Sequence, residues 1–372
     1  MSEPVYTPRG ATEADRESLR ALVGEVFRST LMDEYPQLYH AETLGNCRVV
    51  EVGGRLVSHV GMTVQDAAIY GCRVRVACIG GVATHPDHRG AGHASACLDD
   101  AMSVARDSGT DIMMISGDRS LYRRAGCRKV GEDYSLSLSG DAAALLDHSG
   151  LTLRDATVGD IPTLRALHHS EPLHWKRDSD TWRRALECRQ VMNRKSRFVV
   201  VEEYGAAAGY FIAQVVDDSE THLQVSEYAG DRARMLRAFA AHVADTGAPG
   251  IRWHVSGGDA FGLAAADAAG ARQRESTTSG TYIVLDLAQL IDRMRPYLTE
   301  YLGSGANRLR VESVGDGYRF DLDGDTHDVP DIGGAAHFVF GTREERPTAA
   351  PPSGPLADAF PIPALWYGLN YV

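Results

Sequence analysis

No stretch of the 372-residue chain stays apolar for the roughly 20 residues that a membrane-spanning helix needs, which excludes a helical integral membrane protein. The opening Met-Ser-Glu-Pro lacks the basic, apolar and small-residue succession of a secretory signal, so a cytoplasmic location is expected. Basic residues are outnumbered: 38 Lys and Arg stand against 50 Asp and Glu, a net charge of −12. Such a surface repels nucleic acid and anionic membrane, so neither is expected as a partner. It keeps the chain soluble and also suits a cationic substrate such as an amine. Cysteine is sparse. Cys47, Cys72, Cys78, Cys97, Cys127 and Cys188 form no C-x-x-C pair and lie in apolar stretches, so buried reduced thiols are expected rather than disulfides or metal ligands.

What is present is an ordinary globular balance, 44% hydrophobic and 24% charged, at a length that suggests two or three domains. An internal repeat organises the first two. Residues 9 to 22 read R-G-A-T-E-A-D-R-E-S-L-R-A-L and residues 154 to 167 read R-D-A-T-V-G-D-I-P-T-L-R-A-L. Each copy predicts the end of a strand followed by a helix, with Thr12 and Thr157 as N-caps and Asp15 and Asp160 at the positive helix end. Residues 47 to 62 predict a hairpin turning at Gly53-Gly54, and residues 197 to 213 predict another near Gly205. Domains over 1–150 and 151–284 are therefore expected, with a different third domain over 285–372. In the latter, residues 285 to 302 predict an amphipathic helix kinked or divided at Pro296. Residues 308 to 340 predict short strands, and 346 to 355 a Pro-rich loop. The tail from Phe360 to Val372 is too apolar to be frayed and is expected to dock against the protein.

The chemistry concentrates in the first domain. Residues 74 to 85 predict a strand, followed by Pro86-Asp87-His88-Arg89-Gly90-Ala91-Gly92-His93-Ala94 and then a helix-period run closed by Gly109. Strand, glycine loop and helix make an anion site. The first helical N–H groups have no intrahelical partner, and Gly90 and Gly92 let the backbone approach a pyrophosphate. Asp111 to Ser116 predicts a buried parallel strand, and residues 119 to 125, R-S-L-Y-R-R-A, a short helix closed by Gly126. His85, His88 and His93 straddle a proline and a glycine loop without a fourth ligand at fixed spacing, so no metal is expected. Cys127 reads as core.

On these residues the sequence resembles a family. Arg89 to Ala94, R-G-A-G-H-A, matches the R/Q-x-x-G-x-G/A signature of GNAT acetyltransferases, and Leu121 to Cys127, L-Y-R-R-A-G-C, is similar to their F-Y-x-x-x-G-F element. The resemblance implies acetyl-CoA as cosubstrate. It places strand contacts at Val82, Ala83 and Thr84, and loop contacts at Arg89, Gly90, Gly92, His93, Ala94 and Ser95. The whole layout resembles the Eis (enhanced intracellular survival) group. That likeness implies a mixed α/β (α+β) chain with a GNAT domain, a second degenerate GNAT domain and a sterol-carrier-like C-terminal domain. It also implies Tyr122 as the general acid that protonates the departing thiolate and the terminal carboxylate of Val372 as base. Valine stands where the group has an aromatic end. Acetyl transfer to a small-molecule amine, polyamine- or aminoglycoside-like, is the implied function, and a homo-oligomer such as a hexamer the implied assembly.

Two other readings stand beside it: a non-catalytic acyl-CoA-binding protein on the same scaffold, and a lipid carrier through residues 285–372. In the second domain Ala229-Gly230-Asp231-Arg232 keeps one glycine, and Asp231 would repel a phosphate. A structural or pocket-lining role is expected there.

Overall fold

The two repeat segments fold alike in the computed structural model, which describes residues 7–216, 222–343 and 345–372. Thr12 and Thr157 open short 3-10 turns, Glu13–Asp15 and Val158–Asp160, that lead into the helices Arg16–Val26 and Ile161–His169. In each copy the acid accepts both the N–H and the hydroxyl of the threonine at 2.8 Å. An arginine at the preceding strand then grips it: Arg9 holds Asp15 at 2.7 Å and Glu51 at 2.9 Å, while Arg154 holds Asp160 at 2.7 Å and Glu202 at 2.6 Å. These guanidiniums hold both aspartates well below the usual carboxylate range. The repeat thus encodes a helix start and its clamp together.

Each copy feeds a sheet. The first, seven-stranded, runs in the order Arg9–Gly10, Arg48–Val52, Arg55–Ile69, Cys72–Thr84, Ile112–Ile115 and Thr281–Val284, with Leu173–Trp175 added to Arg55–Ile69. The second, eight-stranded, runs Arg272–Ser276, Asp133–Ser139, Gly250–Ser256, His222–Gly230, Ala206–Val215, Arg194–Glu203 and Leu151–Asp155, with Gln190–Val191 on Arg194–Glu203. Both predicted hairpins are present. The sheets are not divided at residues 150 and 284: Asp133–Ser139 belongs to the second sheet, Leu173–Trp175 and Thr281–Val284 to the first. Backbone pairing therefore ties the two halves together more tightly than a linker would.

The third segment packs on this frame. Helices Leu287–Arg293 and Arg295–Leu302 divide beside Pro296, which sits in the first turn of the second, where a missing N–H costs nothing. A small antiparallel sheet follows: Arg310–Val314, Gly317–Leu322 and Asp325–Val329. The strand expectation for 308 to 340 fails at its end. Ile332–Phe340 is a helix, capped by Asp331, which accepts the Gly334 N–H at 2.7 Å, and Gly333 to Phe340 are all buried. A fully buried helix has no polar face, so a short apolar run cannot reveal its period. Phe338 packs on Phe320 and Phe360. The tail is docked: Phe360, Ile362, Leu365, Tyr367 and Val372 are buried. No helix among the described residues is long and apolar enough to cross a membrane.

Candidate active site

The site starts from a defect in the first sheet. Cys72–Thr84 pairs antiparallel with Arg55–Ile69, but the register shifts between His59 and Gly61, so Gly81 and Val82 face one partner residue. This two-against-one bulge bends the strand. On its other edge the strand pairs in parallel with Ile112–Ile115 only through Val76 to Ile79, and the Ser116 N–H to the Ile79 carbonyl (3.2 Å) closes the ladder. Beyond Gly80 the two parallel strands diverge and a wedge opens.

Gly81 holds the bulge at φ +60°, a conformation that L side chains rarely adopt. Its carbonyl is 2.8 Å from His59 Nδ1, and the His59 ring stacks on Tyr39. Burial pushes His59 down to about 4, so the ring is neutral at physiological pH. Val82 and Thr84 are half-buried and Ala83 is buried. The Ser58 hydroxyl donates to the Ala83 carbonyl at 3.2 Å, holding that residue's other edge.

At the strand's end, Pro86–His88 forms a short turn and Arg89 Nε donates to the Thr84 carbonyl at 3.3 Å. Gly90 and Gly92 both have positive φ, +82° and +80°, and open space lies where their Cβ atoms would be. Gly92 caps the helix His93–Asp107, whose first turn carries no acid. Gly90, Ala91 and Gly92 are exposed, Ala94 and Ser95 half-buried, and His93 is buried. The geometry is an open cradle of backbone N–H groups at a helix start, which suits a pyrophosphate.

A cavity of about 190 Å³ lies at the wedge's other end, where Val82 meets Tyr122, Tyr371 and Val372 beside Gly80, Gly81 and Ser116. Tyr122 projects from the helix Ser120–Arg124, which follows the second strand of the wedge. Burial raises its hydroxyl above the ordinary value, opposed by the Arg119 cation, so Tyr122 stays protonated. Val372 comes from the far end of the chain, and its carboxyl carbon occupies the space where a side chain on Gly80 would be. Gln37 donates to the Tyr371 carbonyl at 2.8 Å, and the Tyr371 hydroxyl donates to the Ser116 carbonyl at 3.3 Å. Tyr122, Val372 and Val82 thus share one cavity, while Arg89 to Ser95 follow the C-terminal end of the bulged strand, beyond Thr84.

Sequence reading missed what fixes the tail. Arg177, 2% exposed, grips both oxygens of Glu227 at 2.7 Å and the Asn370 side-chain oxygen Oδ1 at 2.6 and 2.9 Å. The Leu369 N–H donates to Glu227 at 3.1 Å, Tyr210 donates to it at 2.8 Å, and the Asn370 amide donates to Gln65. Burial would raise Glu227, but Arg177 and then His168 pull it down to about 2. The cluster joins the second sheet, the tail and the first sheet two residues before the terminal carboxyl. No local motif announces it, because its members are scattered from residue 65 to residue 370. Among the described residues, no group of three or more His, Cys, Asp or Glu side chains is placed to hold a metal.

Residues 7–130 match the family model described as an acetyltransferase (GNAT) domain. No curated protein matches the sequence. Among solved structures, a GCN5-related N-acetyltransferase from Anabaena variabilis is similar over 97% of this chain and 99% of its own, at 15% identity and a TM-score of 0.67. One from Kribbella flavida is similar over 88% and 84%, at 17% identity and 0.60. Eis1 from Mycobacterium abscessus is similar over 89% and 88%, at 14% identity and 0.58. At such identities the likenesses establish the fold, a mixed α/β GNAT fold, and residues 7–130 are similar to the acetyltransferase (GNAT) domain family.

Proposed function

We propose that the chain transfers acetyl from acetyl-CoA to the amine of a small molecule, with Tyr122 and the Val372 carboxylate on opposite sides of the reacting thioester. The observation that carries this reading is the shared cavity: a protonated tyrosine and a terminal carboxyl converge where a bulged strand leaves its neighbour. In this reading the pyrophosphate rests on the N–H groups of Gly90 to Ser95, near the Arg89 cation. The pantetheine arm pairs with the free edge of Val82, Ala83 and Thr84. His93 is buried at the first position of the helix that follows the loop.

Attack requires a neutral amine. The Val372 carboxylate takes the amine proton, directly or through water. The nitrogen lone pair adds to the thioester carbon, and N–H groups at the Gly81–Val82 bulge stabilise the oxyanion. The tetrahedral adduct then collapses, the C–S bond breaks with its electron pair on sulfur, and Tyr122 gives its proton to the thiolate. Arg119 stabilises the tyrosinate that remains. The acidic surface favours a cationic acceptor such as a polyamine or an aminoglycoside. The second sheet is a degenerate copy of the first in this reading, and residues 285–372 a sterol-carrier-like unit whose task is to deliver the tail.

Thiol release from acetyl-CoA, measured against polyamines, aminoglycosides and lysine peptides, tests the assignment. Turnover with a small amine is the expected result. Tight acetyl-CoA binding with no turnover on any amine would favour a binding protein instead. Gly92→Val forces a β-branched residue to φ +80° and crowds the cradle. It is expected to weaken acetyl-CoA binding by roughly tenfold or more, measured by calorimetry, because the backbone must move off the phosphate.

A further inference from the structure

The second sheet opens as the first does. His222–Gly230 and Gly250–Ser256 pair in parallel only from residues 222 to 224 with 250 to 252, and then diverge. The chain's own tail enters this wedge. Trp366 Nε1 donates to the Ser226 carbonyl at 3.0 Å, and its indole stacks on His254 at 3.7 Å between centroids. Beside Trp366 a cavity of about 1120 Å³ remains, several times larger than the space beside Tyr122, and neither Tyr122 nor Val372 lines it. Leu173, Tyr228, Phe261, Leu365 and Trp366 give it largely apolar and aromatic walls.

Most polar side chains at this cavity are already committed. Glu171 and Asp259 both hold Arg232, at 2.7 and 2.5 Å, and Glu227 holds Arg177. Among the described residues lining it, two buried side-chain atoms have no hydrogen-bond partner, Asp133 Oδ2 and His254 Nε2. They stand 3.6 Å apart on adjacent strands. A buried polar atom left without a partner is costly, so the pair is a standing demand for a ligand group. Burial pushes Asp133 up to about 8 and His254 down to about 3, leaving both neutral at pH 7. Arg343 opposes the rise of Asp133, Glu132 adds to it, and the Tyr282 phenol also faces the carboxyl. Arg343 already pairs with Glu275 at 2.9 Å and Glu132 at 3.7 Å. An anion would meet Asp133, Glu171, Asp231 and Asp259; a cation would meet the electron-rich face of Trp366 and a carboxyl that, among the described residues, has no ion-pair partner besides the neutral His254, while the Tyr228 ring already carries the Arg232 guanidinium, itself paired with Glu171 and Asp259.

We propose that this cleft is a second ligand site, which binds an organic amine as its ammonium ion, the charged end on Asp133 and His254 and the apolar body against Trp366, Tyr228 and Phe261. The ammonium donates one N–H to the Asp133 carboxylate and one to His254 Nε2. Below about pH 8 the Asp133 proton leaves to solvent as the ammonium arrives, so binding releases a proton. Ala364 to Trp366 line this cleft while Tyr371 and Val372 line the other cavity, so an occupant touches the segment that carries the terminal carboxyl.

Calorimetry on the full chain without acetyl-CoA, in two buffers of different ionisation enthalpy at pH 6.5, tests this with cyclohexylmethylamine and its uncharged analogue cyclohexylmethanol. The amine is expected to bind roughly tenfold or more tightly than the alcohol and to release close to one proton, the alcohol none. Asp133→Asn should lose that preference and the proton release together. Equal binding of the alcohol, absence of amine binding, or an Asp133→Asn chain that binds the amine and releases a proton as before would overturn the proposal. Should that variant not fold, the wild-type proton count decides, and zero overturns it. None of these readings depends on turnover, so the site can stand or fall apart from the acetyltransferase activity.

Discussion

Gly80→Ala is expected to lower kcat by roughly 10²–10⁴-fold, the range that general acid–base catalysis supplies, while acetyl-CoA affinity stays close to its original value. Gly80 has an ordinary φ, so alanine suits the backbone there. What alanine lacks is space. Its methyl would clash with the carboxyl carbon and oxygen of Val372 and lie 3.0 Å from the valine Cβ. The methyl and the carboxyl cannot share that volume, so the terminal carboxyl must leave. The strand edge at Val82 to Thr84 and the loop at Gly90 to Ser95 keep their atoms, so acetyl-CoA keeps its contacts. Steady-state kinetics beside calorimetric acetyl-CoA binding separate the two effects. An unchanged kcat would remove Val372 from the mechanism and leave the tail a structural plug.

Arg177→Met is expected to cost about 3–5 kcal/mol of stability, because it leaves the buried Glu227 carboxylate without the guanidinium that pairs with both its oxygens. Glu227 is held down to about 2, below its ordinary 4.5, so its stabilising effect is present above pH 4.5 and is lost as pH falls toward 2. Thermal unfolding at pH 7 should therefore show a large loss for Arg177→Met, and the loss should shrink at pH 3. Adding Glu227→Leu removes the orphaned charge and is expected to return most of the stability. It should not return turnover, since the Leu369 N–H has lost its acceptor and Asn370 its donor, and the tail is no longer held in register. Full recovery of kcat in the double variant would make the cluster a matter of stability alone.

The features that the sequence displays are those written in neighbouring residues. Thr12 with Asp15 and Thr157 with Asp160 are local devices, and so are the turns at Gly53-Gly54 and near Gly205. The Gly90–Gly92 cradle is local too, since strand, loop and helix follow one another without interruption. The exchange of Asp133–Ser139 and Thr281–Val284 between sheets is a choice among distant pairing partners, and each strand's own pattern is silent on it. Ile332–Phe340 hides its helical period because every side is buried. The cluster of Gln65, Arg177, Tyr210, Glu227 and Asn370 exists only after the chain has folded, and a buried arginine looks like any other arginine in a sequence. The Asp133–His254 pair is equally silent, because alternation marks a strand without showing which of its polar residues will be walled in.

The central claim is that Tyr122 protonates the departing thiolate from across the cavity that holds the Val372 carboxyl. The most direct measurement is kcat and the acetyl-CoA dissociation constant of Tyr122→Phe, with an amine on which the wild-type chain turns over. Phenylalanine keeps the ring packing and removes only the proton donor. A kcat lower by roughly 10²-fold or more, with the dissociation constant unchanged, is the result this account predicts. A kcat equal to that of the wild type, or a loss that appears only as weaker acetyl-CoA binding, would contradict it.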